Sequence, residues 1–331
     1  MPASARDLRC SAFARAEHLD PVGSAGDYDG YLLLEWPLPW SRDLADDEAL
    51  APLSEVLVGN RLRLQGLVPL FSDERARRAV LYRRAGSNPD DGFRQFERAE
   101  RVVPADRLLD AAVELVTTGN GDPDWERASI TDDVLVCTHG KRDVCCGSMG
   151  MSLVQELSQD PARSRLRGLN ASSGGTVRLW RTSHTGGHRF APTAIVLPQG
   201  TAWAYADADL LRRVVRRQGA LDDALARYRG CAGVGPAPVQ AVEREAFRHV
   251  GWEWLDWRRR GVELGGGAVR LEATAPDGEQ LTLDAQVEVA RMVPVPDCGK
   301  PIEDAKKSEP EWVVRSLTRS QGRRGAGRSA G

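Results

Sequence analysis

Asp133-Val134-Leu135-Val136-Cys137-Thr138-His139-Gly140-Lys141-Arg142-Asp143-Val144-Cys145-Cys146-Gly147 is the stretch that decides the fold. It opens on a short apolar run that reads as a buried strand over Asp133–Cys137. A polar turn follows. Beyond it, Gly150–Ser158 reads as a helix with Leu153, Val154 and Leu157 on one side. Cys137 then falls at a strand end, and Cys145 and Cys146 fall in the turn before a helix. Strand ends and the loops after them are where open α/β sheets build their sites.

Toward the C-terminus, Thr176–Ser183 alternates as a strand and runs into Ser183-His184-Thr185-Gly186-Gly187-His188-Arg189-Phe190. Thr193–Leu197 is continuously apolar, as a central strand would be, and Ala202–Ala206 could pair beside it. Asp209–Gln218 is an amphipathic helix with Leu210, Leu211, Val214 and Val215 apolar. This β-α-β-loop-β-β-α order is compatible with a thioredoxin-like α/β fold. Upstream, Tyr31–Trp36, Leu67–Phe71 and Ala79–Arg83 read as strands and Asp106–Thr117 as a helix; residues 1–30 read as irregular. Downstream, Pro236–Pro238 precedes a helix over Val239–Val250, then Trp252, Trp254 and Trp257. Ala268–Ala273 and Leu281–Val289 read as a β-hairpin around Pro276-Asp277-Gly278. Four regions are expected: an N-terminal α+β region over 1–130 packing on the core, the thioredoxin-like unit over 131–235, a helix and β-hairpin region over 236–315, and a disordered basic tail over 316–331 rich in Gly, Ser and Arg.

The 331 residues are 41% hydrophobic and 28% charged with a net charge of −2, which gives no reason to expect nucleic acid or an anionic membrane as the main partner. The longest apolar runs, such as Tyr31–Leu34, are far too short to span a bilayer. Met1–Asp7 is not followed by the apolar stretch of a secretory signal, so the expected location is the cytoplasm.

Chemistry concentrates in the two quoted segments. Three of the five histidines, His139, His184 and His188, lie near three of the six cysteines, Cys137, Cys145 and Cys146. Scattered cysteines in a chain of this size do not make a disulfide framework. Gly186-Gly187 argues for a loop between His184 and His188 and lets backbone pass close to a bulky ligand. The plain alternative is a tight turn with two surface histidines. Thiolate with imidazole suits zinc or an iron–sulfur centre. The cysteine separation of eight or nine is wider than a zinc knuckle, and Rieske spacing is absent.

C-T-H-G-K-R-D-V-C-C-G followed by S-H-T-G-G-H-R-F-A-P resembles the sucrase/ferredoxin-like family, whose core resembles thioredoxin-like ferredoxins. Val196-Leu197-Pro198-Gln199-Gly200, Tyr228-Arg229-Gly230-Cys231 and Val239-Gln240 extend the similarity over roughly residues 10–260. The resemblance implies a [2Fe–2S] cluster held by Cys137, Cys146, His184 and His188, with Cys145 the competing choice for the second cysteine. It implies an electron carrier with an unidentified redox partner protein and no catalytic residues. Proton-coupled reduction through the imidazoles is expected. His139 is expected to hydrogen-bond within its loop rather than bind metal. Arg189 could offset cluster charge or guide a partner, or be an ordinary surface arginine. Cys10 and Cys231 are expected as buried apolar thiols; Cys298 has no assigned role. The rival functions are a zinc-stabilised Cys2His2 binding module, a dithiol redox protein using Cys145 and Cys146, and a glycosidase, for which no paired-carboxylate motif exists.

Overall fold

The computed structural model describes residues 9–69, 75–85, 91–118, 131–159 and 176–323. The elements run α1 (Cys10–Ala16), β1 (Gly30–Glu35), α2 (Ser54–Gly59), β2 (Leu62–Leu67), β3 (Ala76–Arg84), β4 (Phe96–Pro104), α3 (Leu108–Thr118), β5 (Thr131–Cys137), α4 (Val144–Gln159) and β6 (Thr176–Thr182). They continue β7 (Ala194–Leu197), β8 (Thr201–Trp203), α5 (Ala208–Arg216), α6 (Leu221–Leu225), β9 (Tyr228–Cys231), α7 (Ala237–Val250), β10 (Arg258–Gly265), β11 (Ala268–Thr274), β12 (Glu279–Pro294) and β13 (Ser308–Arg323).

Nine strands form one mixed sheet in the order β4-β3-β1-β2-β6-β5-β7-β8-β9. Within it β5 and β6 are parallel, joined by the α4 crossover, while β7 is antiparallel to β5 and β8 to β7. The order β6-β5-β7-β8 followed by α5 is that of a thioredoxin-like unit. β5 is central: Val134, Leu135 and Val136 are all buried, because helices cover the sheet.

The N-terminal strands continue this sheet through the contact of β2 with β6. Their side chains alternate with period two. Leu32, Leu34, Ala79 and Leu81 join Leu108, Ala112, Leu115 and Val116 of α3 in one core, and Tyr31, Leu33, Val80 and Tyr82 face the other. The sheet curls back on itself. Tyr82 Oη, on β3, donates to Asp133 of β5 at 2.6 Å, and the Phe96 N–H donates to the Pro198 carbonyl at 2.8 Å. Asp133 is fully buried and also accepts from Arg178 Nε at 2.6 Å, Arg178 Nη2 at 2.7 Å and Trp180 Nε1 at 2.8 Å. Burial alone would raise its pKa; these donors and charges hold it below the ordinary value.

Asp132, next along β5, lacks that set. Burial pushes its pKa up to about 6, with the Gln199 amide and Arg217 pulling the other way. The folded chain therefore binds more protons than the unfolded chain between the ordinary 3.8 and about 6, and stability is lost as pH rises through that window. Asp132→Asn keeps an oxygen for the 3.2 Å bond from Gln199 and removes the charge. It should raise unfolding stability at pH 7 by up to roughly 3 kcal/mol, with the gain gone below about pH 4. Urea unfolding at both pH values checks this; an equal gain at both would contradict it.

Several expected elements shift. The second strand is Leu62–Leu67 rather than Leu67–Phe71, since Pro69 has no N–H to continue a ladder; Leu70 and Phe71 lie outside the described residues. The stretch expected to be irregular contains α1. The hairpin is half of a four-stranded antiparallel sheet, β10-β11-β12-β13. The disordered tail is a correction: Ser316–Arg323 is the last half of β13, paired with β12 along its whole length. Residues 324–331 lie outside the described residues. β13 hides in the sequence because it is a polar edge strand, its apolar contacts reduced to Trp312 and Val314. Helix α7 packs between this sheet and β9.

Candidate metal centre

Cys137 ends β5, its N–H donating to the Thr193 carbonyl at 3.0 Å. The turn after it is closed by Asp143, which caps α4. Its Oδ1 accepts from the Cys145 N–H at 2.9 Å and the Cys146 N–H at 3.3 Å. Cys145 and Cys146 therefore occupy the first helical turn rather than the turn before it. The helix starts close against the strand: a Cβ on Gly150 would lie 1.9 Å from the Cys137 carbonyl oxygen. Only glycine permits this approach, which brings Cys146 to Cys137.

The histidine loop is held from the N-terminal strands. The His184 carbonyl accepts from Arg63 Nη2 and Gln65 Nε2, each at 3.2 Å, and the Ser183 N–H donates to the Gly66 carbonyl at 2.8 Å. Gly186 and Gly187 both have positive φ, 80° and 62°. A Cβ on Gly187 would lie 2.6 Å from the Arg229 guanidinium, which packs against the turn.

Metal-ligating atoms of Cys137, Cys146 and His184 lie within 4.8 Å of one another, both cysteines buried and the histidine half-buried. The Cys146 thiol and the His184 ring hold the Cys137 thiol well below its ordinary range, against the effect of burial. His188 is not in this group. Its ring centre is 6.1 Å from that of His184, and its Nδ1 lies 3.2 Å from Asp143 Oδ2. Cys145 points elsewhere: its sulfur is 3.0 Å from that of Cys298.

The His139 ring does not hydrogen-bond within its loop as expected: both ring nitrogens are buried without a hydrogen-bond partner, and the ring packs edge-on against Trp40, ring centres 5.4 Å apart, beside the Ser41 backbone and outside the ligand group. Burial pushes its pKa down. Arg189 is corrected from a surface position: it is 4% exposed, pairs with Glu309 of β13 and lies over the Phe190 ring. It fastens the C-terminal sheet to the histidine loop. Cys231 is a buried thiol donating to the Gln199 carbonyl at 3.2 Å.

Arg229 is the functional neighbour that spacing did not single out. It is 1% exposed, and its Nε donates to Ser24 Oγ at 3.0 Å. Its Nη1 is buried without a hydrogen-bond partner. Burial and Arg189 bring its pKa down to about 10, so it stays charged, close enough to Cys146 to couple with it. The sign of that coupling offsets thiolate charge.

A family model described as sucrase/ferredoxin-like matches residues 21–230. The chain belongs to the sucrase/ferredoxin-like family. The match contains all four residues of the two histidine and cysteine pairs and stops within β9. Among curated proteins, the chain is 38% identical over 77 residues to "Altered inheritance of mitochondria protein 32" of Meyerozyma guilliermondii. That covers 23% of this chain and 25% of the relative, so the chain spans about a quarter of the relative it matches. No solved structure matches. No helix among the described residues is long and apolar enough to cross a membrane.

A [2Fe–2S] cluster fits this donor set. Cys137, Cys146 and His184 offer three ligating atoms within 4.8 Å of one another, His188 stands beside them as the fourth donor, and His184 Nδ1 is buried with no hydrogen-bond partner.

Proposed function

We propose that this protein is an electron carrier that holds a [2Fe–2S] cluster through Cys137, Cys146, His184 and His188. The observation that carries the reading is the convergence of Cys137, Cys146 and His184 at the end of β5, beside His188. Bound there, the cluster supplies a one-electron redox centre, less negative than an all-cysteine one because two ligands are neutral. The Asp143 carboxylate lies 3.2 Å from His188 Nδ1 without a hydrogen bond formed between them; a proton on Nδ1 turned toward it would leave Nε2 for the metal. Gly186 and Gly187 bring backbone close to the site, and Arg229 beneath them offsets its negative charge. Above the histidines opens a cleft of about 720 Å³ in which arginines and lysines, among them Arg63, Arg142 and Lys306, outnumber the carboxylates of Asp43, Asp297, Asp304 and Glu309, while Arg42 and Lys300 pair with Asp297 and Lys307 with Glu309. That mouth suits an acidic redox partner protein.

Anaerobic purification followed by iron, sulfide and visible-spectrum measurement tests the reading. A red-brown protein with about two irons and two sulfides per chain is expected. A colourless protein carrying zinc at these residues would replace the electron carrier by a zinc-stabilised module. The potential should also depend on pH. Added negative charge makes a ligand imidazole hold the proton on its other nitrogen more tightly. Where only the reduced form keeps that proton, the potential should fall by ~59 mV per pH unit. Redox titrations from roughly pH 6 upward, near the free imidazole value, check it; a flat potential would mean that no imidazole proton moves with the electron.

A further inference from the structure

A second group of ligating atoms lies on the other side of Asp143. Cys10 begins α1, Cys145 sits in the first turn of α4, and Cys298 lies in the turn after β12. The Cys145 and Cys298 sulfurs are 3.0 Å apart, and those of Cys298 and Cys10 are 3.4 Å apart. Asp143 completes the set. Its Oδ2 is 3.5 Å from the Cys10 sulfur, and its Oδ1 is 3.6 Å from the Cys298 sulfur. The four ligating atoms all lie within 4.8 Å of one another, with Cys10, Asp143 and Cys145 buried and Cys298 half-buried.

We infer that Cys10, Cys145, Cys298 and Asp143 form a second metal site, sharing no ligand with the cluster site and touching it through the Asp143–His188 contact, that takes one tetrahedral divalent ion of the zinc class. Three sulfurs and one carboxylate oxygen are a complete donor set for closed, structural zinc. With Zn–S bonds of ~2.3 Å, a tetrahedron spaces its sulfurs about 3.8 Å apart, so the thiols need open only slightly around an ion. The supporting donors are present as well. Ser11 Oγ–H points to the Cys145 sulfur at 3.3 Å, and the Cys10 N–H points to the Cys298 sulfur at 3.4 Å. Such bonds offset thiolate charge around a metal.

A disulfide explains the group less well. Joining Cys145 to Cys298 would leave the Cys10 thiol against it without a role. A metal uses all four. Its ligands come from the beginning, middle and end of the chain, 288 residues apart at the extreme. Binding would therefore clasp α1 and the loop after β12 onto the N-terminus of α4. The two adjacent cysteines of that helix then serve different sites, Cys146 with Cys137 and His184, and Cys145 with Cys10 and Cys298.

Elemental analysis of the full chain, purified without added metal, tests this. Wild type should carry about one zinc per chain. Cys137→Ser should keep that zinc while losing iron, and Cys10→Ser and Cys298→Ser should lose the zinc while keeping iron. The two sites thus fail independently. Cobalt(II) added to chelator-treated protein provides a readout that needs no preloaded metal: visible bands of tetrahedral thiolate-bound cobalt should form in Cys137→Ser and not in the double variant Cys137→Ser with Cys298→Ser, in which both sites are broken. Zinc that disappears with Cys137→Ser, or a wild-type chain with neither zinc nor cobalt bands, would overturn the second site. Should Cys298→Ser not fold, zinc retained in Cys137→Ser still decides for it.

Discussion

Cys137→Ser and Cys146→Ser should each reduce bound iron to below about a tenth of wild type, whereas Cys145→Ser should leave the red-brown spectrum in place. The two adjacent cysteines are one residue apart in sequence, yet they differ in what they face. Cys146 is buried with Cys137 and His184, and Cys145 is buried with Cys10 and Cys298. Asp143 binds the backbone N–H of both, so the capping geometry does not choose between them. The helical rotation does, because successive residues are turned about 100° around the axis. A serine oxygen is a harder, far less acidic ligand than a thiolate and holds iron poorly. Iron and sulfide content with the visible spectrum measure the outcome. Iron lost in Cys145→Ser but kept in Cys146→Ser would reverse the assignment. In Cys145→Ser the second site should lose its zinc, so that variant separates the two centres within one molecule.

The cysteine and histidine pairs were legible because each lies inside one short loop after a strand, where a few residues of spacing nearly fix the geometry. The βαβ–ββα order was legible for a related reason: β5 and β7 are buried on both faces and read as unbroken apolar runs. The second group was not. Cys10 and Cys298 are isolated in the sequence, and nothing local distinguishes them from buried structural thiols; only the docking of α1 and the loop after β12 against α4 brings them together. Arg229 stood in a stretch that carried the family resemblance, but its burial under Gly186-Gly187 is a tertiary fact. Arg189 misled for the same reason, since the Glu309 that buries it lies 120 residues away. β13 was hidden by its composition. Its Arg, Ser and Gly residues resemble a solvated tail, and the strand exists because β12 offers it a full ladder.

Arg259→Met should destabilise the protein by about 3–5 kcal/mol, more than any loss confined to the surface. Arg259 and Glu243 are both fully buried, with Arg259 Nη1 2.8 Å from Glu243 Oε1. Glu243 is further held by Tyr228 Oη at 2.7 Å and Trp254 Nε1 at 3.3 Å, while Arg259 Nη2 donates to the Arg94 carbonyl at 2.8 Å. This network joins α7, β9 and β10 to the segment before β4, so it fastens the C-terminal sheet to the nine-stranded one. Removing the guanidinium leaves a carboxylate in the interior with two neutral donors and no cation. Burial already pushes the Glu243 pKa up even with Arg259 present. Without Arg259 the carboxyl should be protonated in the folded state at pH values where the unfolded chain has released its proton. The folded variant then binds the extra proton, so its stability deficit should grow as pH rises and shrink in acid. Glu243→Gln combined with Arg259→Met should recover much of the loss, because no buried charge remains. Urea unfolding of both single variants and the double variant, at neutral and acidic pH, measures the coupling. Losses that simply add, or a deficit independent of pH, would show that the pair does not hold the two sheets together. The iron content should not change in any of these variants, since the network touches none of the residues that face the cluster.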